Sequence, residues 1–399
     1  VERSIASTEP VLLLTERFHP EEFLVNDLAL SWKKQGLDVE VLTQAPSYPF
    51  DRIFAGYKNT SKTESWAGIP VHRVTTVLGY SKSVRKKIIG YVSFAAKTST
   101  WAVVHGHKYK HVFVCHTGPL TMATAVLPLR WIYGARCTIW TQDVWPDTVY
   151  AYGIKPTWWR KTALDLFVSS IYRSCAEVAG SCPGFGSMLS KYTSSKVQFI
   201  PQWFPLASPP PSPFPPPSPV VFTFAGNLGS VQNLDRLVQL FSKAKVPDAV
   251  LRIIGDGVMM GPLRKQIDGD ELSNVQLLGR RPLDEMPQAF ADSHVLIISL
   301  KKDPVFALTI PAKFQAYLTA GRPLLAIADG ELAQIVASEG IGVAADPDDD
   351  QQIVAAFREL AEKARLEKLS HYGHRAQQLT SEKFSRTRSI QQLLDLVFS

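Results

Sequence analysis

Nine of the fifteen residues at 205–219 (PLASPPPSPFPPPSP) are proline, in the middle of a 399-residue chain. Such a stretch lacks the amide donors of a sheet ladder and the backbone freedom of a helix, so it predicts a stiff polyproline-II connector. Its PxxP spacing would also suit a signalling ligand, but its position near mid-chain favours a join between domains. The chain is longer than the roughly 250–300 residues at which one hydrophobic core stops growing, so two domains are expected on either side of it. The expected division is a first domain over 1–204, the connector 205–219, a second domain over 220–380, and a closing helix over 381–399 that packs back on the first.

On both sides of the connector, short apolar runs alternate with stretches whose apolar residues recur three or four apart. Strands are predicted at 11–15, 39–43, 71–76, 111–116, 136–142, 177–181 and 197–201 in the first half. In the second half they fall at 220–225, 250–254, 275–278, 294–300, 323–327 and 341–345. Between them, sets such as Leu234, Leu237, Val238 and Phe241 mark helices. This alternation predicts α/β architecture: two Rossmann-like, doubly wound parallel sheets. After Asp350 the pattern is helical to the end. Open α/β sheets bind ligands at the carboxyl ends of their strands, so two such domains suit an enzyme that joins two substrates across a cleft.

Charge is unevenly spread. Residues 1–200 hold 23 Lys and Arg against 14 Asp and Glu, whereas 201–399 hold 20 against 22. Between Glu64 and Asp143 there are ten basic residues and no acidic one. A partner with phosphate or membrane-surface character is therefore expected on the first half. Arg85, Lys86 and Lys87 lead into an apolar helical stretch (Ile88, Ile89, Tyr91, Val92, Phe94), which suits an anionic membrane surface or a solvated cationic helix end. No helix-turn-helix, zinc finger or RNP-type aromatic motif accompanies the tract, so nucleic acid is not expected. The four cysteines form no CxxC pair and are read as buried reduced thiols. His105, His107 and His111 lie close together without metal-site spacing. No run approaches the roughly 18 apolar residues of a membrane span, and a cytoplasmic protein, peripheral on a membrane at most, is expected.

Several segments in order carry a resemblance. They are 15–20 (TERFHP), 36–43 (GLDVEVLT), 46–49 (PSYP), 141–147 (TQDVWPD), 224–234 (FAGNLGSVQNL), 254–257 (IGDG), 274–279 (NVQLLG) and 310–323 (IPAKFQAYLTAGRP). Together the chain resembles, nearly end to end, the GT-B glycosyltransferases of family 4. Within that family it is most similar to bacterial-type enzymes that transfer deoxy- or amino-sugars in surface-polysaccharide assembly. The resemblance implies a nucleotide-sugar donor held by the second domain, a glycan or lipid-linked glycan acceptor on the first, retention of configuration, and no metal or other cofactor.

Each motif also has a reading of its own. A strand that ends in Gly226, Asn227, Leu228 and Gly229 before a helix lets backbone amides approach a phosphate, or is an ordinary strand–helix turn. Gly255 and Asp256 form the matching turn after the next strand. Gln232 stands where many relatives carry a phosphate-binding Lys, and Asn227 where they often carry Arg. Lys313, after Pro311 at an expected helix start, is the best replacement for that charge, with the Thr309 hydroxyl before it; a surface lysine is the alternative. Arg280 and Arg281 are candidates near the nucleotide base. The glutamate pair of the family falls here on Leu308 and Ala316, so Asp303 is the candidate sugar contact, or else a loop-initiating residue. The family's glycine-rich turn after the first strand is also missing, replaced by EEFLV at 21–25.

In the first half, His116 ends a strand and Asp143 lies in a Gln-Asp-Val-Trp-Pro turn just after another. A carboxylate and an imidazole converging there would serve to deprotonate an acceptor hydroxyl or hold a leaving group. Trp145 is read as a sugar-stacking or a core residue. The expected function is metal-independent transfer of a hexose-type sugar from a UDP- or GDP-sugar to a glycan hydroxyl. A nucleotide-sugar 2-epimerase and a catalytically inactive scaffold on the same fold are the alternatives.

Overall fold

The structure, a computed structural model, describes residues 9–48, 52–79, 84–147, 150, 157–206 and 213–399. It divides into two compact units: Val1–Pro201 with Thr387–Ser399, and Gln202–Arg386.

In the first unit eight strands form one sheet. They are β1 (Val11–Leu14), β2 (Val39–Gln44), β3 (Lys62–Trp66), β4 (Ile69–Val74), β5 (His111–His116), β6 (Arg136–Thr141), β7 (Glu177–Gly180) and β8 (Val197–Phe199). The order is β3-β4-β2-β1-β5-β6-β7-β8. Central strands such as β1 (VLLL, wholly buried) are covered on both faces, which is why they read as unbroken apolar runs. β3 corrects the expectation of a purely parallel sheet: it pairs antiparallel with β4 at the edge. Its sequence, KTESW, was not legible as a strand because an edge strand with exposed alternate positions needs little apolar content. The helices Val84–His105, Val126–Tyr133 and Trp158–Ser174 pack side by side in one layer.

The closing helix, Arg386–Phe398, returns to this sheet. Thr138 Oγ1 donates to the Leu396 carbonyl at 3.2 Å, and His111 Nδ1 donates to that of Val397 at 3.0 Å.

In the second unit six strands are all parallel: β9 (Val220–Ala225), β10 (Ala249–Ile254), β11 (Val275–Gly279), β12 (Val295–Ser299), β13 (Leu324–Ile327) and β14 (Gly342–Ala345), in the order β11-β10-β9-β12-β13-β14. Phe222, Phe241 and Phe357 meet edge to face at its centre, with centroids 5.2–5.9 Å apart. Residues 207–212 of the proline tract lie outside the described residues. The part that follows them is seated on this unit rather than standing off as a spacer. The buried Arg322 donates to the Pro213 carbonyl at 2.9 Å and lies 4.4 Å from the Phe214 ring centroid.

Candidate active site

The carboxyl ends of β9 and β10 carry the glycine turns, and the two turns interlock. Gly226 N donates to the Ile254 carbonyl, Leu228 N to that of Asp256, and Met259 N to that of Leu228, each at 2.9 Å. A Cβ on Gly255 would stand 1.8 Å from the Gly226 oxygen, and one on Gly257 would stand 2.5 Å from that of Leu228. Gly226 and Gly255 also have φ of +134° and +144°, which side chains rarely adopt. Glycine is thus required by contact as well as by conformation. Asp256 Oδ1 accepts from Gly257 N at 2.8 Å and holds the second turn.

The helix Lys313–Ala320 is tied to the end of β9 by Tyr317, whose hydroxyl accepts from Ala225 N at 2.8 Å and donates to Ala225 O at 3.1 Å. Lys313 lies one turn earlier on the same face. Its Nζ is shut off from solvent, has no hydrogen-bond partner, and lies 3.6 Å from the Phe224 ring centroid. A Cβ on Gly226 would be 3.0 Å from it. Burial alone pulls its pKa down to about 7. The surface-lysine alternative is therefore corrected: the stem crosses the end of the sheet and the amine sits under the glycine turn.

Gln232 Oε1 is buried without a partner behind Gly229, while Asn227 is exposed beside Gly257. A 3-10 turn at Ser230–Gln232 precedes the helix Leu234–Ala244, so the phosphate-sized turn is not the direct start of that helix. Other candidates have structural tasks. Asp303 caps the short helix Pro304–Ala307 by accepting from Val305 N at 2.8 Å. The Thr309 hydroxyl donates to the Val305 carbonyl at 2.8 Å. Arg281 is exposed and pairs with Glu285 at 3.2 Å; Arg280 is exposed as well. Leu308 is half-buried and Ala316 buried in the positions that lack the glutamates.

In the first unit, His116 is at the end of β5 as expected, but its ring is wholly buried rather than outward-facing. Burial lowers its pKa to about 4, with a small opposing effect from the Gly118 backbone, and neither ring nitrogen makes a hydrogen bond of good geometry. It is a neutral imidazole in the core. Asp143 is half-buried beyond β6, near enough to the buried Tyr172 to raise that phenol's pKa further. Trp145 is half-buried. Arg85 and Lys86 are exposed at the start of the helix Val84–His105, and Lys87 is half-buried. All four cysteines are free and buried, and no group of three metal-ligating side chains occurs among the described residues.

Sequence reasoning missed a polar cluster after β1. Glu16 is 5% exposed; Arg17 holds its Oε1 at 3.0 Å and Gln44 Nε2 at 3.2 Å. Thr76 Oγ1 in turn donates to Gln44 Oε1 at 2.8 Å. Glu21, one residue of the segment that replaces the glycine-rich turn, accepts from the amides of Ser47 and Tyr48 at 2.8 and 2.6 Å. The Glu21 side chain thus ties this segment to the backbone that follows β2. The signal available in the sequence was an acidic-basic pair directly after a wholly apolar strand.

Comparison with known proteins is consistent with this architecture. Sucrose-phosphate synthase from Thermosynechococcus elongatus superposes with a TM-score of 0.73 at 13% identity, over 97% of this chain and 98% of that one. HepE of Anabaena, solved with UDP and glucose, superposes at 0.69 and 14% identity over the same shares. The class these two Rossmann-like units define is the GT-B fold. Residues 210–379 match the family described as Glycosyl transferases group 1. The matched stretch lies within the second unit, apart from which no part of the chain is covered by that family model. The chain is also 28% identical over 144 residues to the probable glycosyltransferase WbjE of Pseudomonas aeruginosa; the alignment spans 36% of each protein.

Proposed function

We propose that this protein moves a hexose-type sugar from a UDP- or GDP-sugar, held by the second unit, to a hydroxyl of a glycan or lipid-linked glycan held by the first. The observation that carries the reading is Lys313: a buried amine without a partner, beneath a glycine turn that no side chain can fill. An arriving diphosphate supplies the missing anion, and the amide groups of the turn and the helix start add to its stabilisation. Stabilising the leaving diphosphate in this way calls for no metal. UDP in the HepE structure favours a uridine donor. Asp143 is assigned to the acceptor hydroxyl, with Trp145 against the sugar; retention of configuration rests on the resemblance.

The acceptor side is assigned to an anionic membrane surface as well. Ile88, Ile89 and Val92 are about half exposed beside Arg85 and Lys86, and Trp131, Trp158 and Trp159 are exposed on neighbouring helices. Exposed apolar area with cations beside it suits an anionic interface. None of the helices among the described residues is long and apolar enough to cross a membrane.

Calorimetry of the full chain with UDP, GDP and their sugars, followed by product analysis with and without EDTA, tests the reading. Transfer that persists in EDTA supports it. The missing carboxylates at Leu308 and Ala316 favour one second reading, a binding protein without turnover; it would show nucleotide binding and no product. A 2-epimerised nucleotide sugar as the product would replace transfer with epimerisation.

A further inference from the structure

The two central strands of the second sheet separate at their carboxyl ends. β9 pairs with β12 through Phe224 and Ile297; beyond that point β9 stays with β10 to Ala225, and β12 stays with β13 to Ser299. From these two strands the sheet is built in opposite directions, towards β10 and β11 on one side and β13 and β14 on the other. The opening between them is therefore the switch point at which open α/β sheets bind ligands. Their separation has a local cost. Gly226 N is the group that reaches across to β10, where it donates to the Ile254 carbonyl. The N–H and C=O of the buried Ala225 itself face the β12 side, where the strand partner has gone.

Tyr317 takes the place of that strand. Its hydroxyl accepts from Ala225 N at 2.8 Å and donates to Ala225 O at 3.1 Å, so both of its hydrogen-bonding functions are spent on one residue. The ring is wholly buried and meets Phe290 edge to face at 5.2 Å, and burial raises the phenol's pKa, which keeps it protonated. Tyr317 and Lys313 are four residues apart on one helix, one above the other on the same face. The bonds at Ala225 thus set where the lysine stem begins. The amine at its end has little latitude: Nζ lies 3.6 Å from the Phe224 ring centroid and 3.0 Å from where a Gly226 Cβ would be. A slip of the helix by one residue's rise, about 1.5 Å, would carry the amine off the ring face or into the turn.

We propose that Tyr317 is a positioning residue of the donor site: by clamping its helix to the peptide groups of Ala225 where β9 and β12 separate, it holds the Lys313 amine at the height where a donor diphosphate meets the glycine turn. Tyr317 is sealed in the core and acts only through Lys313. Its role rests on the donor reading of Lys313, and the two fail in different ways.

UDP is titrated by calorimetry into the full chain, Tyr317→Phe, Lys313→Ala and the double variant. Tyr317→Phe keeps the ring and removes the clamp. It is expected to weaken UDP binding about tenfold, a fraction of what a 1 Å misplacement can cost. In the Lys313→Ala background the same substitution should weaken binding by less than about twofold more, because independent effects would multiply and effects passed through one amine do not. Phe290→Leu loosens the packing on the Tyr317 ring but leaves the hydroxyl, and should lower the melting temperature while binding UDP as the parent does. Should Tyr317→Phe not fold, amide exchange in the parent chain tests the clamp. The amide of Val221, held by His294 Nδ1 at 3.0 Å at the other end of β9, is the reference. Saturating UDP should slow exchange at Ala225 at least about tenfold more than at Val221, and the difference should vanish in Lys313→Ala. Unchanged UDP affinity in Tyr317→Phe, a multiplied loss in the double variant, an equal loss in Phe290→Leu, or equal slowing at both amides overturns the role of Tyr317. Unchanged UDP affinity in Lys313→Ala overturns the donor reading itself, whatever Tyr317→Phe does.

Discussion

The amine of Lys313 lies 3.6 Å from the centre of the Phe224 ring, with no carboxylate and no hydrogen-bond acceptor to pair it. Buried without a partner, an ammonium is costly, and burial accordingly pulls this lysine down to about 7. The ring face offsets part of that cost for the charged form. An anion beneath the glycine turn would offset much more. Lys313→Ala is therefore expected to weaken UDP or GDP binding by about 1.5–3 kcal/mol, the range for a charge-assisted hydrogen bond. Calorimetry at pH 7 checks it, and unchanged affinity removes Lys313 from the donor site.

The same lysine makes a stability prediction for the ligand-free protein. Its folded pKa lies below the unfolded value of 10.5, so the unfolded chain binds more protons between about 7 and 10.5. The penalty is full below about pH 7 and is relieved as pH rises through that window. Lys313→Met should raise the melting temperature at pH 6–7, with the gain shrinking toward pH 10. A gain independent of pH would mean that the amine is not neutralised by burial.

His116 is governed by the same sign. Its pKa of about 4 lies below the ordinary 6.5, so stability should fall as pH drops from 6.5 toward 4 and level off below. Denaturant titrations at pH 7 and pH 4.5 should differ by about 2–3 kcal/mol, and His116→Gln should flatten this segment of the profile. A profile unchanged by the substitution would exclude His116 as its source.

Asp143 is half-buried in the loop after β6, and asparagine keeps its shape while removing its charge. Asp143→Asn should keep the melting temperature near that of the parent and lower turnover by about a hundredfold. Full turnover with any donor and acceptor pair would rule out the assignment.

Two glycines separate turn geometry from helix propensity. Gly255→Ala would place a methyl 1.8 Å from the Gly226 oxygen and should cost at least about 2 kcal/mol along with nucleotide binding. Gly269→Ala, in the helix Met260–Gly269, meets nothing within 4 Å and should be neutral or stabilising by up to about 1 kcal/mol. Thermal melts of the pair suffice.

The basic, apolar face of the first unit should bind anionic vesicles at low salt. Each basic residue near the surface contributes on the order of 1 kcal/mol, screened as salt rises. Arg85→Ser/Lys86→Ser/Lys87→Ser should reduce sedimentation with the liposomes, and Trp158→Ser/Trp159→Ser should reduce it independently of salt. UDP binding should survive both. No association at low salt would leave the acceptor side to soluble ligands.

The alternation of strand and helix, the glycine turn at 226–229 and the closing helix were legible because each depends on local order alone. A central parallel strand must be apolar on both faces, an amphipathic helix must repeat every three to four residues, and a turn packed against another backbone must lack a Cβ. Those constraints are written in consecutive residues. β3 escaped because an edge strand is subject to none of them.

Charge states and pocket walls belong to the other class. Whether Lys313 is a surface cation or a buried amine depends on Phe224, and the helix that carries it is anchored through Tyr317 to Ala225, 92 positions away. His116 reads the same in sequence whether it faces water or, as here, is sealed between strands and helices. Glu16 becomes a fixed hydrogen-bond acceptor only when Gln44 and Thr76 are brought to it from separate strands. Desolvation and hydrogen-bond geometry arise from what surrounds a group in three dimensions, so local sequence determined the framework of this protein and tertiary packing alone decided the ionisation and orientation of its polar groups.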